Sequence, residues 1–308
     1  MSGSKTHSAV LLLAHGSPDS VEQVPEFLLR VTGGRPLPPD VVKEVSHRYS
    51  VIGRSPLTDI TLRQAELLSA ELGRPVYAGM RNWQPFISQT LRRMIKDQIH
   101  RAVVICLAPH NSQTSVGLYR TSLRNCSDPS LSFDFVESWH DEPLLIQAFA
   151  EKLRTARDKA YSELGSPLPV IFTAHSVPER TVLDGDPYEL QARQTAELVA
   201  AEASLDRLEW RCAFQSQGVS GGAWLGPTVQ ATILDLKRSG HKGVLIQPIG
   251  FLCDHVEVLY DIDVLFKQFA EKEGLRLWRT ESLNESPLLT SALATIVRRR
   301  LRTALETR

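Results

Sequence analysis

Two histidines, His15 and His175, each follow a short apolar run, Ala9–Ala14 (AVLLLA) and Pro169–Ala174 (PVIFTA), and each is followed three residues later by a proline. Imidazoles at the ends of buried strands suit proton transfer near neutral pH, or ligation of a borderline metal such as Fe, Co or Zn. A histidine in such a position also serves as a turn residue bonded to backbone. Downstream, Glu257 and Asp261 stand four apart in a segment of helical period that runs to about Ala270. They stack at the edge of an apolar stripe made by Val258, Leu259, Ile262, Leu265, Phe266 and Phe269. Two carboxylates beside apolar surface repel each other and lose hydration, which predicts a raised pKa for at least one. Such a pair takes up protons or holds a divalent cation; Asp254-x-x-Glu257 also fits a capping box at a helix N-terminus.

Other residues offer weaker signals. Gly218-Val219-Ser220-Gly221-Gly222 matches the G-x-S-x-G pattern of hydrolase nucleophiles. Gln215, Ser216 and Gln217 intervene after the strand, however, the next helix waits until about Pro227, and Asp254 and His255 are adjacent, so a flexible loop fits better than a hydrolase elbow. Arg48, Tyr49, Ser55 and Tyr119 in the first half, and Trp224 in the glycine-rich loop, suit ligand carboxylates and a flat π face. Arg298, Arg299, Arg300 and Arg302 read as a solvated helix face near a C-terminus.

The elements that must hold these residues recur along the chain. The strand-like stretch from Val76 to Gly79 has a counterpart from Arg211 to Phe214, and the stretch from Ala102 to Leu107 one from Gly243 to Ile249. The helical pattern from Pro85 to Met94 is matched by that from Val229 to Leu236. The segment from Glu137 to Leu145 (ESWHDEPLL) returns as Glu281 to Leu289 (ESLNESPLL), with five of nine positions identical. Strands alternating with helices predict parallel sheets whose functional loops lie at the strands' C-terminal ends. The expected fold is therefore α/β: two similar Rossmann-like, doubly wound halves, residues 1–162 and 163–308, with a cleft between them. The boundary is placed at SELGSPLP, from Ser162 to Pro169, and the last helix, from Leu288 to Ala304, is a candidate to cross onto the first half.

Composition narrows the classes. Lys+Arg and Asp+Glu balance at 35 each, so no global basic field exists to hold a polyanion, and nucleic acid is not expected as a partner. The four cysteines, Cys106, Cys126, Cys212 and Cys253, are scattered, without the spacing of a zinc or iron–sulfur site. No apolar run approaches a membrane span and the early one is too short for a signal segment, so a cytoplasmic protein without stable membrane insertion is expected.

At these residues the chain resembles the soluble bacterial ferrochelatases over nearly its whole length. The resemblance is carried by Ser55-Pro56-Leu57 with Thr61-x-x-Gln64-Ala65, by Leu107-Ala108-Pro109-His110 leading to Ser115 and Tyr119, and by Ala174-His175-Ser176-x-Pro178-Glu179. It continues through Gly185-Asp186-Pro187-Tyr188, Gln215-Ser216, Trp224-Leu225-Gly226-Pro227 and Asp254-His255-x-Glu257-Val258-Leu259-Tyr260-Asp261. It implies a class II chelatase-like fold of two Rossmann-like halves around a porphyrin cleft, and insertion of Fe²⁺, as substrate, into a porphyrin in haem biosynthesis with release of two pyrrole protons. It assigns the essential histidine to His175, with Glu257 as its acidic partner and Asp261 farther along an acidic row. His175, Glu257 and His15 are the expected metal-contacting residues, and Arg48, Ser55, Tyr119, Arg35, Trp224 and Asp261 the expected substrate-binding ones. His175 is expected to accept pyrrole protons, assisted by Glu257.

The pattern of Arg48, Ser55 and Tyr119 is most similar to that of enzymes acting on coproporphyrin III. Protoporphyrin IX, a cobalt or sirohydrochlorin-type chelation, and a non-catalytic porphyrin or haem carrier are the alternatives. No tightly bound cofactor and no iron–sulfur cluster are expected, and the chain is expected to be a monomer. Three departures stand out. His15 occupies a position where relatives commonly carry Tyr, and His15-Gly16-Ser17 is similar to the small cobalt and sirohydrochlorin chelatases. Thr32 falls where relatives carry a propionate-binding Arg, with Arg30 and Arg35 nearby. The acidic row ends at Leu265.

Overall fold

The computed structural model describes residues 8–218 and 222–306, with side chains to residue 303. It forms two compact units. Unit 1 comprises residues up to Pro109, Ser115–Trp139 and the chain from Glu285 onward; unit 2 comprises His110–Thr114 and His140–Asn284.

Unit 1 is built on four parallel strands, β1 (Ser8–Ala14), β2 (Val76–Met80), β3 (Arg101–Cys106) and β4 (Ser132–Val136), in the order β2-β1-β3-β4. Its helices are α1 (Val24–Val31), α2 (Pro39–Ile52), α3 (Leu57–Leu72), α4 (Ile87–Lys96) and α5 (Val116–Cys126). The chain next forms α6 (Pro143–Leu164) and enters unit 2, whose strands β5 (Val170–His175), β6 (Trp210–Gln215), β7 (Gly243–Pro248) and β8 (Arg276–Arg279) repeat the order as β6-β5-β7-β8. Around them lie α7 (Glu179–Leu183), α8 (Tyr188–Glu202), α9 (Val229–Arg238), α10 (Val256–Leu259), a π-helical turn (Asp261–Phe266) and α11 (Lys267–Lys272). The last element is α12 (Pro287–Glu306).

The apolar runs become strands because both faces of each central strand are covered, so no polar alternation is needed. Val10 to Leu13 in β1 and Val170 to Phe172 in β5 are fully buried. One core cluster joins Leu11, Leu13, Val104 and Met94, and another joins Ile171, Val244, Ile246, Ile233 and Val258. The connections repeat as well as the strands. Met80 N–H donates to Pro85 O at 2.7 Å and Phe214 N–H donates to Pro227 O at 2.8 Å, each closing the loop before the following helix.

The recurring ESxxxxPLL segment marks the start of α6 and of α12. Each helix follows the last strand of one sheet and packs in the other unit: α6 lies against α8, β7 and β8, and α12 against α3 and β3. The stretch from Ser162 to Pro169 accordingly holds the end of α6 and the turn into β5, inside unit 2, and the contact boundary follows Trp139 rather than residue 162. Glycine and proline mark a turn there, but a turn ends a helix without ending a packing unit. Among the described residues, no helix is long and apolar enough to cross a membrane.

Candidate active site

In a parallel sheet of this order, the connection leaving the first strand runs to one side and that leaving the third runs to the other, so a crevice opens beyond their C-terminal ends. His175 is the last residue of β5 and occupies this place in unit 2. His15 is the first residue beyond β1 and occupies it in unit 1.

Both imidazoles use the same local contact: His15 Nδ1 lies 3.1 Å from Gly16 O, and His175 Nδ1 lies 2.5 Å from Ser176 O. A carbonyl only accepts, so Nδ1 carries the proton and Nε2 is left for other partners. Backbone bonding at Nδ1, which the sequence poses as the alternative to chemistry, therefore leaves Nε2 of His175 open to other partners. The His175 backbone is held by the Tyr188 hydroxyl, which donates to its carbonyl at 2.8 Å. Tyr188 is tied in turn by Asp186, which accepts the Tyr188 N–H at 3.0 Å, the Gln113 N–H at 2.7 Å and the Ser112 hydroxyl at 3.1 Å.

His175 Nε2 faces Glu257 Oε1 at 3.5 Å, and the other carboxylate oxygen faces His255 Nε2 at 3.8 Å. These separations are those of ion pairs rather than tight hydrogen bonds. Burial disfavours the imidazolium of His175, but the facing Glu257 carboxylate, the Ser176 carbonyl and Asp261 outweigh it and raise the pKa to about 9. Burial likewise opposes the charged Glu257, yet His175 and His255 hold it well below the usual carboxylate range. The raised pKa expected for this carboxylate pair is thus reversed at Glu257, because two imidazoles flank it. His255 was missing from the expected set. At i and i+2 it would not face Glu257 within one helix, but its extended backbone (φ −163°, ψ −177°) ahead of α10 puts its ring beside that carboxylate.

The capping reading of Asp254 does not hold. Its carboxylate accepts from Ser282 Oγ at 2.8 Å, Asn284 Nδ2 at 3.0 Å and Arg279 Nη1 at 3.3 Å, tying the loop before α10 to the segment after β8. Gln215 Nε2 donates to Glu257 O at 2.8 Å, and Ser216 Oγ donates to Asp261 Oδ2 at 2.6 Å, so the end of β6 grips the acidic segment twice. Asp261 opens the π-helical turn and is buried, not at a helix edge. The i→i+5 bond from Leu265 N–H to Tyr260 O inserts an extra residue, and Leu265, expected in the buried stripe, is exposed.

Trp224 is not in a free loop: its segment bridges Pro178, with Leu225 N–H donating to Val177 O at 2.9 Å, and its ring lies where a Cβ on Gly218 would sit, 2.7 Å away. Val219, Ser220 and Gly221, which carry the G-x-S-x-G pattern, lie outside the described residues.

The remaining expected residues are in unit 1. Arg48, on α2, pairs with Glu44 at 2.5 Å; Ser55 is buried before α3; Tyr119 is buried on α5; exposed Arg35 donates from Nε to Thr32 O at 3.3 Å. The four cysteines are free thiols on separate elements: Cys106 on β3, Cys126 at the end of α5, Cys212 on β6 and Cys253 in the loop after β7. Among the described residues no three His, Cys, Asp or Glu side chains form a ready metal cage.

Comparison with known proteins adds the following. A profile of the family described as ferrochelatase matches residues 7–301. A ferrochelatase of Acidobacterium capsulatum is 51% identical over 302 residues, covering 93% of this chain and 92% of the relative. A coproporphyrin III ferrochelatase of a Geobacillus strain is 33% identical over 311 residues, covering 97% and 99%. Among solved structures, the cobalt complex of the sirohydrochlorin chelatase SirB from Bacillus subtilis superposes with a TM-score of 0.57 at 12% identity, over 95% of this chain and 94% of that one, a likeness of fold.

Proposed function

The chain belongs to the ferrochelatase family, enzymes that insert iron into a porphyrin for haem synthesis, and from that premise we propose that it metallates coproporphyrin III with Fe²⁺, using His175 as acceptor of the pyrrole protons and Glu257 as its charge partner. The observation that carries the assignment of residues is the single carboxylate of Glu257 between two imidazoles at the end of β5. Insertion replaces two N–H protons by one dication, so the site must take protons from the ring one at a time and pass them on. With Nδ1–H committed to Ser176 O, the neutral His175 ring presents its lone pair at Nε2. Glu257 stabilises the imidazolium that forms there, and His255, on the other carboxylate oxygen, is the group through which the proton leaves.

His15 is proposed as a metal-contacting residue. Arg48, Ser55, Tyr119, Arg35, Trp224 and Asp261 are the proposed substrate-binding residues. Four propionates on the substrate would call for several cationic and hydroxyl groups, and the coproporphyrin III ferrochelatases among the relatives support that choice over protoporphyrin IX. The protein is proposed to work as a cytoplasmic monomer, without a resident cofactor or iron–sulfur cluster.

Anaerobic metallation of coproporphyrin III, followed by loss of the free-base spectrum, tests the residue roles. Replacing His175 by Ala should lower kcat about 100- to 10,000-fold, the usual contribution of a positioned acid–base group. Glu257→Gln should lower it with the porphyrin still bound. A His175→Ala protein within threefold of wild type would overturn the assignment.

A further inference from the structure

Cations of unit 1 generally have carboxylate company: Arg30 with Glu26, Arg54 with Asp19 and Asp59, Arg101 with Asp134, and Arg120 with Glu137. Arg81 differs. It is the first residue past β2, at the C-terminal edge of the sheet where parallel folds bind ligands. Its N–H donates to Ala14 O at 2.9 Å, just before His15, and the next N–H, of Asn82, donates to His15 O at 3.0 Å. Its half-buried guanidinium lies over the Tyr119 ring, 5.8 Å from the centroid, and meets no carboxylate among the described residues. Burial pushes its pKa down, with Tyr119 the opposing influence, as expected of a cation lacking an anion.

Two more donors lack acceptors among the described residues. One is Nδ2 of Asn82, a residue only 2% exposed; the other is Oγ of Ser115, one helical turn before Tyr119. A buried donor without an acceptor is costly, and a guanidinium out of water more so, unless a ligand completes it. The guanidinium and the amide nitrogen only donate, and the hydroxyl can donate, so an acceptor serves all three, and the positive charge asks for an anionic one.

We propose that Arg81 anchors a carboxylate subsite that takes one propionate of the porphyrin, with Asn82, next in the chain, and Ser115, a turn before Tyr119, as further donors. This rests on the porphyrin reading above and extends it to residues outside the set read from the sequence. The Arg81 charge selects porphyrins by the number and placement of their carboxylates, while the Tyr119 face keeps the guanidinium in place between turnovers.

The test compares wild type, Arg81→Gln and Arg81→Lys with coproporphyrin III and with its tetramethyl ester, which keeps the ring and removes the charges. Loss of one charge-assisted bond to a carboxylate corresponds to about 10- to 100-fold. Arg81→Gln should raise KM for coproporphyrin III by that factor, with the change in KM rather than in kcat, and Arg81→Lys should recover part of it. For the ester, the three proteins should agree within twofold. In the wild type, the Arg81 Nε–H resonance should shift on adding metal-free coproporphyrin III and stay in place with the ester. A KM for Arg81→Gln within twofold of wild type, or an Nε–H resonance indifferent to coproporphyrin III, would overturn the subsite. If wild type metallates neither porphyrin, the substrate reading itself fails; if it metallates coproporphyrin III and only the Arg81 effects are missing, the subsite alone fails.

Discussion

At the residue scale, the proton affinity of His175, the proposed acceptor, is set by its neighbours. A pKa raised to about 9 means that the charged imidazolium predominates at neutral pH, and the neutral, proton-accepting form grows as pH rises toward that value. The kcat/KM for metallation should therefore climb about tenfold per pH unit above neutrality and level off near pH 9, since it reports the free enzyme's base. Zn²⁺ is a suitable probe because it does not oxidise. Glu257→Gln removes the main stabiliser of the imidazolium, so the rising limb should move to lower pH and its plateau should fall. A wild-type profile flat from pH 6 to 9 would show that His175 is not the acceptor. His175 and Glu257 were legible in the sequence because their motifs are compact and ordered. His255 was not, because only the extended backbone before α10 turns its ring toward Glu257. Arg81 was silent for a related reason: a missing counter-ion is visible only once every carboxylate around it has a place.

At the scale of elements, the strands and the helices α4, α9 and α12 follow from apolar runs and period, whereas the acidic segment does not. A straight 3.6-residue helix would bury Leu265 and put Asp261 at an edge; the π-helical turn exchanges their surroundings, and the bonds from Gln215 and Ser216 fix the result. Sequence periodicity cannot register one inserted residue when Ile262 and Phe266 remain buried on either side of it.

The loop leading into this segment is equally constrained. A Cβ on Gly250 would stand 2.9 Å from Ala174 Cα and 3.0 Å from Ala174 Cβ, against the backbone that leads into His175. Gly250→Ala must push β5 and the loop apart, at about 1–3 kcal/mol for overpacking. Thermal unfolding should shift downward, and kcat should fall with it because the imidazole moves. Unchanged melting and turnover would show that the contact is not tight.

At the scale of the whole chain, the two similar halves read from repeated words are borne out in two sheets of the same strand order, β2-β1-β3-β4 and β6-β5-β7-β8. The division of the chain was less legible. Turn residues near Ser162 mark the end of α6, but packing assigns that helix to unit 2 and α12 to unit 1, an exchange that depends on which apolar faces meet and not on local signals. Balanced charge supplies no global field for substrate recognition, which accords with the local groups proposed for it, Arg48, Arg81 and Tyr119.

The most direct measurement is the steady-state kcat/KM for anaerobic Fe²⁺ insertion into coproporphyrin III and into protoporphyrin IX by the full-length protein. A preference for coproporphyrin III of about tenfold or more is predicted, the least that one additional carboxylate contact supplies. Equal or faster metallation of protoporphyrin IX would contradict it.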